Sequence, residues 1–177
     1  TPNCYRYYSR VLSDIKIEPS PLWMQNYLMA AGVRPISNIV DLTNFIMLVL
    51  GTPMHEFDLD SLKNKKVVVR EARDGEKFKT LDGKERDLKS GDILITDGEE
   101  IIGLGGIMGG LDSEINENTK NVLIEGACFN EDNIRKTSKR LNLRSEASGR
   151  FEKGLDPNLC EISVNRMCHL AQALNIG

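Results

Sequence analysis

Hydrophobic and polar positions along the 177 residues change character twice. Tyr5 to Ile15 has β-type composition with partial alternation, which predicts a strand. Ser20-Pro21 reads as an N-cap followed by proline at the first helical position, and Gly32 as the stop. Between them Leu22, Trp23, Tyr27 and Leu28 recur at helical spacing. A second helix is predicted from Asn38 to Leu50, closed by Gly51 and Pro53. It is apolar nearly all round, so it should be buried.

The middle of the chain switches to short β-type runs punctuated by turns. Lys66 to Arg70 reads as a strand, with a turn at Asp74-Gly75. Phe78 to Leu81 and Lys84 to Leu88 flank Asp82-Gly83 and predict a hairpin. Asp92 to Thr96 and Glu100 to Leu104 flank Asp97-Gly98 and predict another. Asn121 to Glu125 is a further strand. Helical patterns return at Glu131 to Leu141 and from Asp156-Pro157 to Leu174. Strands in the middle with helices toward both ends argue for an α+β fold, with largely antiparallel β-structure and helices packed at its sides.

Composition narrows the class. The length suits one domain, residues 1–177, or a compact pair of subdomains. The hydrophobic fraction of 40% and charged fraction of 28% are ordinary for a globular protein. No apolar run reaches the roughly 18 residues that span a bilayer, so no membrane partner is expected. The N-terminus has no apolar signal core. It also lacks an initiator methionine, which suggests a fragment or a processed chain. A net charge of −3 argues against tight nonspecific binding to nucleic acid by this chain alone. Cys4, Cys128, Cys160 and Cys168 show no CxxC spacing, so no metal site is expected and thiols in a reducing cytosol are the simple reading.

Several residues stand out chemically. His55, one of two histidines, falls in what reads as a loop, Gly51 to Asp58, at the exit of the second helix. It either touches a ligand or bonds a backbone carbonyl at the helix end. Gly103-Leu104-Gly105-Gly106-Ile107-Met108-Gly109-Gly110 either lets a ligand approach bare backbone amides or forms a tight turn or bulge. It is followed by neither the Lys-Ser/Thr of a P-loop nor a clear helix. Glu125 is either a strand-end glutamate in solvent, the reading the pattern favours, or a carboxylate on the floor of a pocket that needs a donor. Leu143 to Gly154 shows no core period and reads as a solvated, salt-bridged loop. Arg135, Lys136, Lys139, Arg140 and Arg144 read as a solvated face. His169 reads as a packing residue. No GxSxG nucleophile elbow is present.

Five segments occur together in order: Asp41-Leu42-Thr43-Asn44-Phe45, Pro53-Met54-His55-Glu56-Phe57-Asp58, Gly105-Gly106-Ile107-Met108-Gly109-Gly110, Asn121-Val122-Leu123-Ile124-Glu125, and Ser145-Glu146-Ala147-Ser148-Gly149-Arg150-Phe151-Glu152-Lys153-Gly154. Each is weak alone. Together they make nearly the whole chain resemble the B3/B4 editing domain of the bacterial phenylalanyl-tRNA synthetase β subunit. The resemblance implies hydrolysis of tyrosine wrongly esterified to the phenylalanine tRNA. It matches Glu125 to the glutamate that reads the tyrosine hydroxyl, with help from the glycine-loop amides of Gly105, Gly106 and Gly109. It matches His55 to the family histidine of the pocket. Arg34, Pro53, Ser145 and Ala147 align with other pocket positions; the family often has threonine where Ser145 stands. It further implies a cytoplasmic protein whose partners are the tRNA(Phe) 3′ end, the rest of a β subunit and an α subunit in an (αβ)2 assembly. No cofactor is implied for this domain, ATP and magnesium belonging to the full synthetase. A noncatalytic tRNA-binding or structural module and a freestanding deacylase for another aminoacyl-tRNA are the competing readings.

Overall fold

The computed structural model describes all 177 residues. Its centre is strand β9 (Val122–Phe129), every residue of which is buried. β9 pairs antiparallel with β1 (Cys4–Leu12) on one side and β2 (Met54–Asp58) on the other, giving the order β1-β9-β2. A strand covered on both faces needs apolar residues at nearly every position. Val122, Leu123, Ile124, Ala127, Cys128 and Phe129 meet that need.

Alternation along β9 divides the interior. Val122 and Ile124 point to a layer of helices α1 (Leu22–Ala30), α2 (Asn38–Leu50) and α5 (Leu159–Ala173). There they meet Leu28, Leu42, Ile46 and Val164 in one apolar core. Leu123, Ala127 and Phe129 point the other way, to a second core. That core is closed by a four-stranded sheet, order β3-β6-β7-β8, built from β3 (Val68–Glu71), β6 (Ile93–Thr96), β7 (Ile101–Leu104) and β8 (Met108–Gly109). The small hairpin β4 (Lys77–Lys79) and β5 (Glu85–Asp87) and helix α3 (Glu131–Arg140) complete this side. The molecule is α+β with antiparallel sheets.

Most predicted elements appear within a few residues of their expected bounds. Four differences have physical reasons. The expected loop around His55 is mostly strand: Met54–Asp58 docks on β9, with His55 opposite Glu125. Its alternation was masked because His55 and Glu56, both polar, sit side by side. Residues 146–151 form a helix, α4 (Glu146–Phe151), rather than a loop. Its small residues hide an apolar stripe of Leu143, Ala147 and Phe151 on the second core. A reciprocal cap starts it: Ser145 Oγ accepts from the Ser148 amide at 3.0 Å, and Ser148 Oγ from the Ser145 amide at 2.9 Å. Helix α1 is capped by Pro21 rather than Ser20. The Ser20 hydroxyl instead bonds the buried Asp41 carboxylate at 2.5 Å. Finally, α2 is buried along one side only, since Val49 is exposed.

Candidate functional site

The two layers of the second core do not close completely. Between β2 and β9 on one side and the β7–β8 turn with α4 on the other lies a cleft of about 410 Å³, part of it open to solvent. Its walls are mainly apolar: Pro53, Phe57, Ile95, Leu104, Ile107 and Phe151. Such a lining with a few polar groups is the usual make-up of a small-ligand site.

The polar groups come from the central sheet. Glu125 lies in the middle of β9 and is only 7% exposed, not at a solvated strand end as the pattern favoured. Strand register sets it opposite His55 of β2 and Ser9 of β1. Burial pushes its carboxyl pKa up to about 7, and a hydrogen bond from Tyr7 acts in the opposite direction. That bond runs from the Tyr7 hydroxyl to Glu125 Oε2 at 2.7 Å. Tyr7 pairs with Ala127, so it is a diagonal neighbour of Glu125 on the same face, within reach of a long aromatic side chain. Burial, then the Glu125 charge and hydrogen bond, hold the Tyr7 phenol far above its ordinary range. It is therefore always the donor.

His55 stacks edge-on against Phe57, with ring centroids 4.5 Å apart. Burial pushes its pKa down to about 4, so the ring is neutral at physiological pH rather than near its ordinary midpoint. The β8 backbone passes close over it. A Cβ at Gly109 would lie 2.5 Å from His55 Cε1 and Nε2, too near for any side chain. At Gly106 the turn needs a left-handed residue, φ 69°, and a Cβ would also meet Ile134, Phe129 and Phe151. The glycine segment is thus both of the things its sequence allowed: a tight hairpin turn and a wall of the cleft.

Of the residues singled out from sequence, Pro53, His55, Gly105, Gly106, Gly109, Glu125 and Ala147 line this one cleft. Ser145 does not. It caps α4 and donates from Oγ to the Ile107 carbonyl at 2.6 Å, tying the helix to the glycine turn. Arg34 does not either; it is exposed on the α1–α2 loop. Asp41 anchors that loop by accepting from the Ile36 amide at 2.7 Å. Ile36 and Ser37 of the loop border a second opening of about 870 Å³, which Glu56, Glu114, Asn116 and Glu117 also line. His55 is the one residue common to both clefts. Burial pushes the Glu56 carboxyl up to about 8.

Other candidates fall away. His169 is exposed on α5, not packed. Arg135, Arg140 and Arg144 are engaged with Asp132, Asp92 and Glu152. All four cysteines are free thiols. Tyr7 was missed. Its one sequence signal is indirect: a carboxylate inside an apolar strand requires a donor, and the fold supplies it from β1.

The chain is similar to known proteins over most of its length. The family described as B3/4 domain matches residues 3–175. The phenylalanine–tRNA ligase beta subunit of Clostridium acetobutylicum is 56% identical over 174 residues, 98% of this chain and 22% of that protein. The subunit of the same name from Staphylococcus aureus strain Mu50 is 52% identical over 172 residues, 97% of this chain and 22% of its own length. This chain therefore spans about a fifth of these relatives. An N-terminal fragment of the phenylalanyl-tRNA synthetase beta subunit from Pyrococcus horikoshii superposes with a TM-score of 0.53 at 16% identity, covering 71% of this chain and 40% of the fragment. That likeness concerns the fold alone.

Proposed function

We propose, from the premise that this chain belongs to the B3/4 domain family, that its cleft hydrolyses tyrosine mischarged onto the phenylalanine tRNA. One observation carries the reading: a buried carboxylate, Glu125, at the floor of an apolar cleft with an oxygen to spare. A pocket shaped for phenylalanine rejects the same ring with an added hydroxyl by only about a hundredfold. A second site must then select the hydroxyl. Glu125 accepts it, and a phenylalanine ring would leave Oε1 unpaired, at a penalty of about 1–3 kcal/mol or more.

The side chain of the amino acid enters the inner cleft and the ester lies at its mouth, beside His55. The outer cleft gives room for the tRNA 3′ end. Water adds to the ester carbonyl, and the ribose oxygen leaves, releasing tyrosine and intact tRNA. Neutral His55 orients the water or the terminal ribose; with a midpoint near 4 it is a weak base at pH 7. Positioning and the vicinal ribose hydroxyl supply the rest of the rate. The setting in this reading is a phenylalanine–tRNA ligase β subunit paired with α subunits as (αβ)2 in the cytoplasm, with Arg34, exposed on the α1–α2 loop, as a tRNA contact.

The test is deacylation of tyrosyl-tRNA(Phe) and phenylalanyl-tRNA(Phe) by wild type, Glu125→Ala and His55→Ala. The first variant should lower the tyrosyl preference about ten- to a hundredfold. The second should slow deacylation of both substrates by about tenfold or more. Wild-type rates from both variants would sink the assignment. Normal tyrosine binding without turnover in the wild type would favour a noncatalytic module.

A further inference from the structure

The carboxylate that would read a ligand hydroxyl is already half occupied. Glu125 Oε2 accepts from the Tyr7 phenol at 2.7 Å. Oε1 takes no side-chain or backbone hydrogen bond and is not among the sealed, unpaired polar atoms of the interior. We infer that Tyr7 is a positioning residue for ligand selection: by filling Oε2 it fixes the Glu125 rotamer, favours the charged carboxylate over the neutral acid, and leaves Oε1 as a single acceptor for one ligand hydroxyl. This inference rests on the hydrolytic reading for the identity of the ligand, but the Tyr7–Glu125 coupling stands independently of it.

The physical argument turns on which form of Glu125 faces the ligand. Hydrogen bonds to charged groups are stronger than those between neutral pairs, and leaving a charged group unpaired costs more. An ionised Glu125 therefore separates a hydroxylated ring from a bare one more sharply than a protonated one. Burial favours the protonated form, and the Tyr7 donor opposes it. The other titratable neighbours leave the midpoint to this pair. His55, directly across on β2, is neutral above pH 5. Cys4 on β1 is held protonated, its thiol pushed up to about 11. Glu56, adjacent on β2, is raised to about 8 and so is largely uncharged at neutrality. The glycine turn and α4 bring no titratable side chain to the lining.

Tyr7→Phe removes one oxygen and keeps the ring that packs on the second core. Two measurements are needed. The Glu125 carboxyl is titrated by carbon-13 NMR in the 177-residue chain, its signal assigned by its loss in Glu125→Gln. Deacylation of tyrosyl- and phenylalanyl-tRNA(Phe) by the complete ligase is followed from pH 6 to 9. The expected result is a Glu125 midpoint raised by about one unit. With it, the tyrosyl-over-phenylalanyl ratio falls about fivefold at pH 7, following the ionised fraction of Glu125, and recovers above the new midpoint. A packing role for Tyr7 would instead lower the rate by the same factor at every pH. An unmoved midpoint, or a ratio that falls equally at all pH values, overturns the inference. A raised midpoint in Tyr7→Phe, together with no tyrosyl preference in the wild-type enzyme, would overturn the hydrolytic reading and leave the coupling in place.

Discussion

The two faces of the β1-β9-β2 sheet are built from the same strands and do opposite things. On the helical face, Ile124 is fully buried among Leu28, Leu42, Ile46 and Val164. On the other, the next residue, Glu125, looks into space left open by a glycine turn. One step along a strand separates a dry core from a polar site, because side chains alternate between faces. At this point of the strand the first face carries apolar core alone, and the second carries apolar core together with the candidate site. Apolar residues on both faces of β9 hold the strand in register around the buried carboxylate.

That contrast can be broken most forcefully from the dry side. Ile124→Ala removes a fully enclosed side chain and should lower the unfolding free energy by about 2–5 kcal/mol. Urea denaturation measures it, and whatever protein stays folded should keep its tyrosyl preference. A loss of under 0.5 kcal/mol would mean that the helical core does not depend on β9.

Glu125→Gln tests the other face through pH. The folded carboxyl titrates near 7, against an ordinary value of 4.5. Between those values the folded chain keeps a proton the unfolded chain has lost, so Glu125 lowers stability as pH rises through that window. His55 has the opposite sign. Its folded midpoint near 4, against 6.5, makes stability rise as pH climbs from 4 to 6.5. Glu125→Gln should therefore match wild type at pH 4. It should gain progressively above that, by about 3 kcal/mol at pH 8, while hydroxyl selection is lost. Denaturation curves at pH 4, 6 and 8 check the trend, and a pH-independent difference would contradict it.

The smallest effect sharpens the boundary between the faces. Gly109→Ala places a methyl against the His55 ring and should cost about 1–3 kcal/mol by overpacking. Deacylation should suffer more than stability, since the ring must turn away from both clefts. Unchanged kinetics would show that the orientation of His55 does not matter.

Much of the framework was legible from pattern because helical and hairpin signals are local. The span Asn38–Leu50 announces itself by its apolar run and closing glycine. The β6–β7 hairpin follows from two apolar runs around Asp97-Gly98. Where the signal was not local, it failed. β2 looked like a loop because His55 and Glu56 break the alternation, yet β9 pulls the segment into the sheet. α4 looked solvated because Ala147, Ser148 and Gly149 carry little hydrophobicity, yet its cap and Phe151 dock it beside the cleft.

The sequence by itself determined the residue types: a scarce histidine, a glutamate within an apolar run, and a cluster of glycines. Their order also carried the resemblance to one family. Only the tertiary structure decided that Glu125 is buried, that Tyr7 rather than solvent completes it, and that Arg34 and Ser145 lie outside the inner cleft. The reason is range. Helices and turns are set by neighbours a few positions apart, whereas Tyr7 and Glu125 are joined across 118 positions of chain by strand pairing alone. Register brings them face to face, and burial then gives the carboxylate its need for a partner.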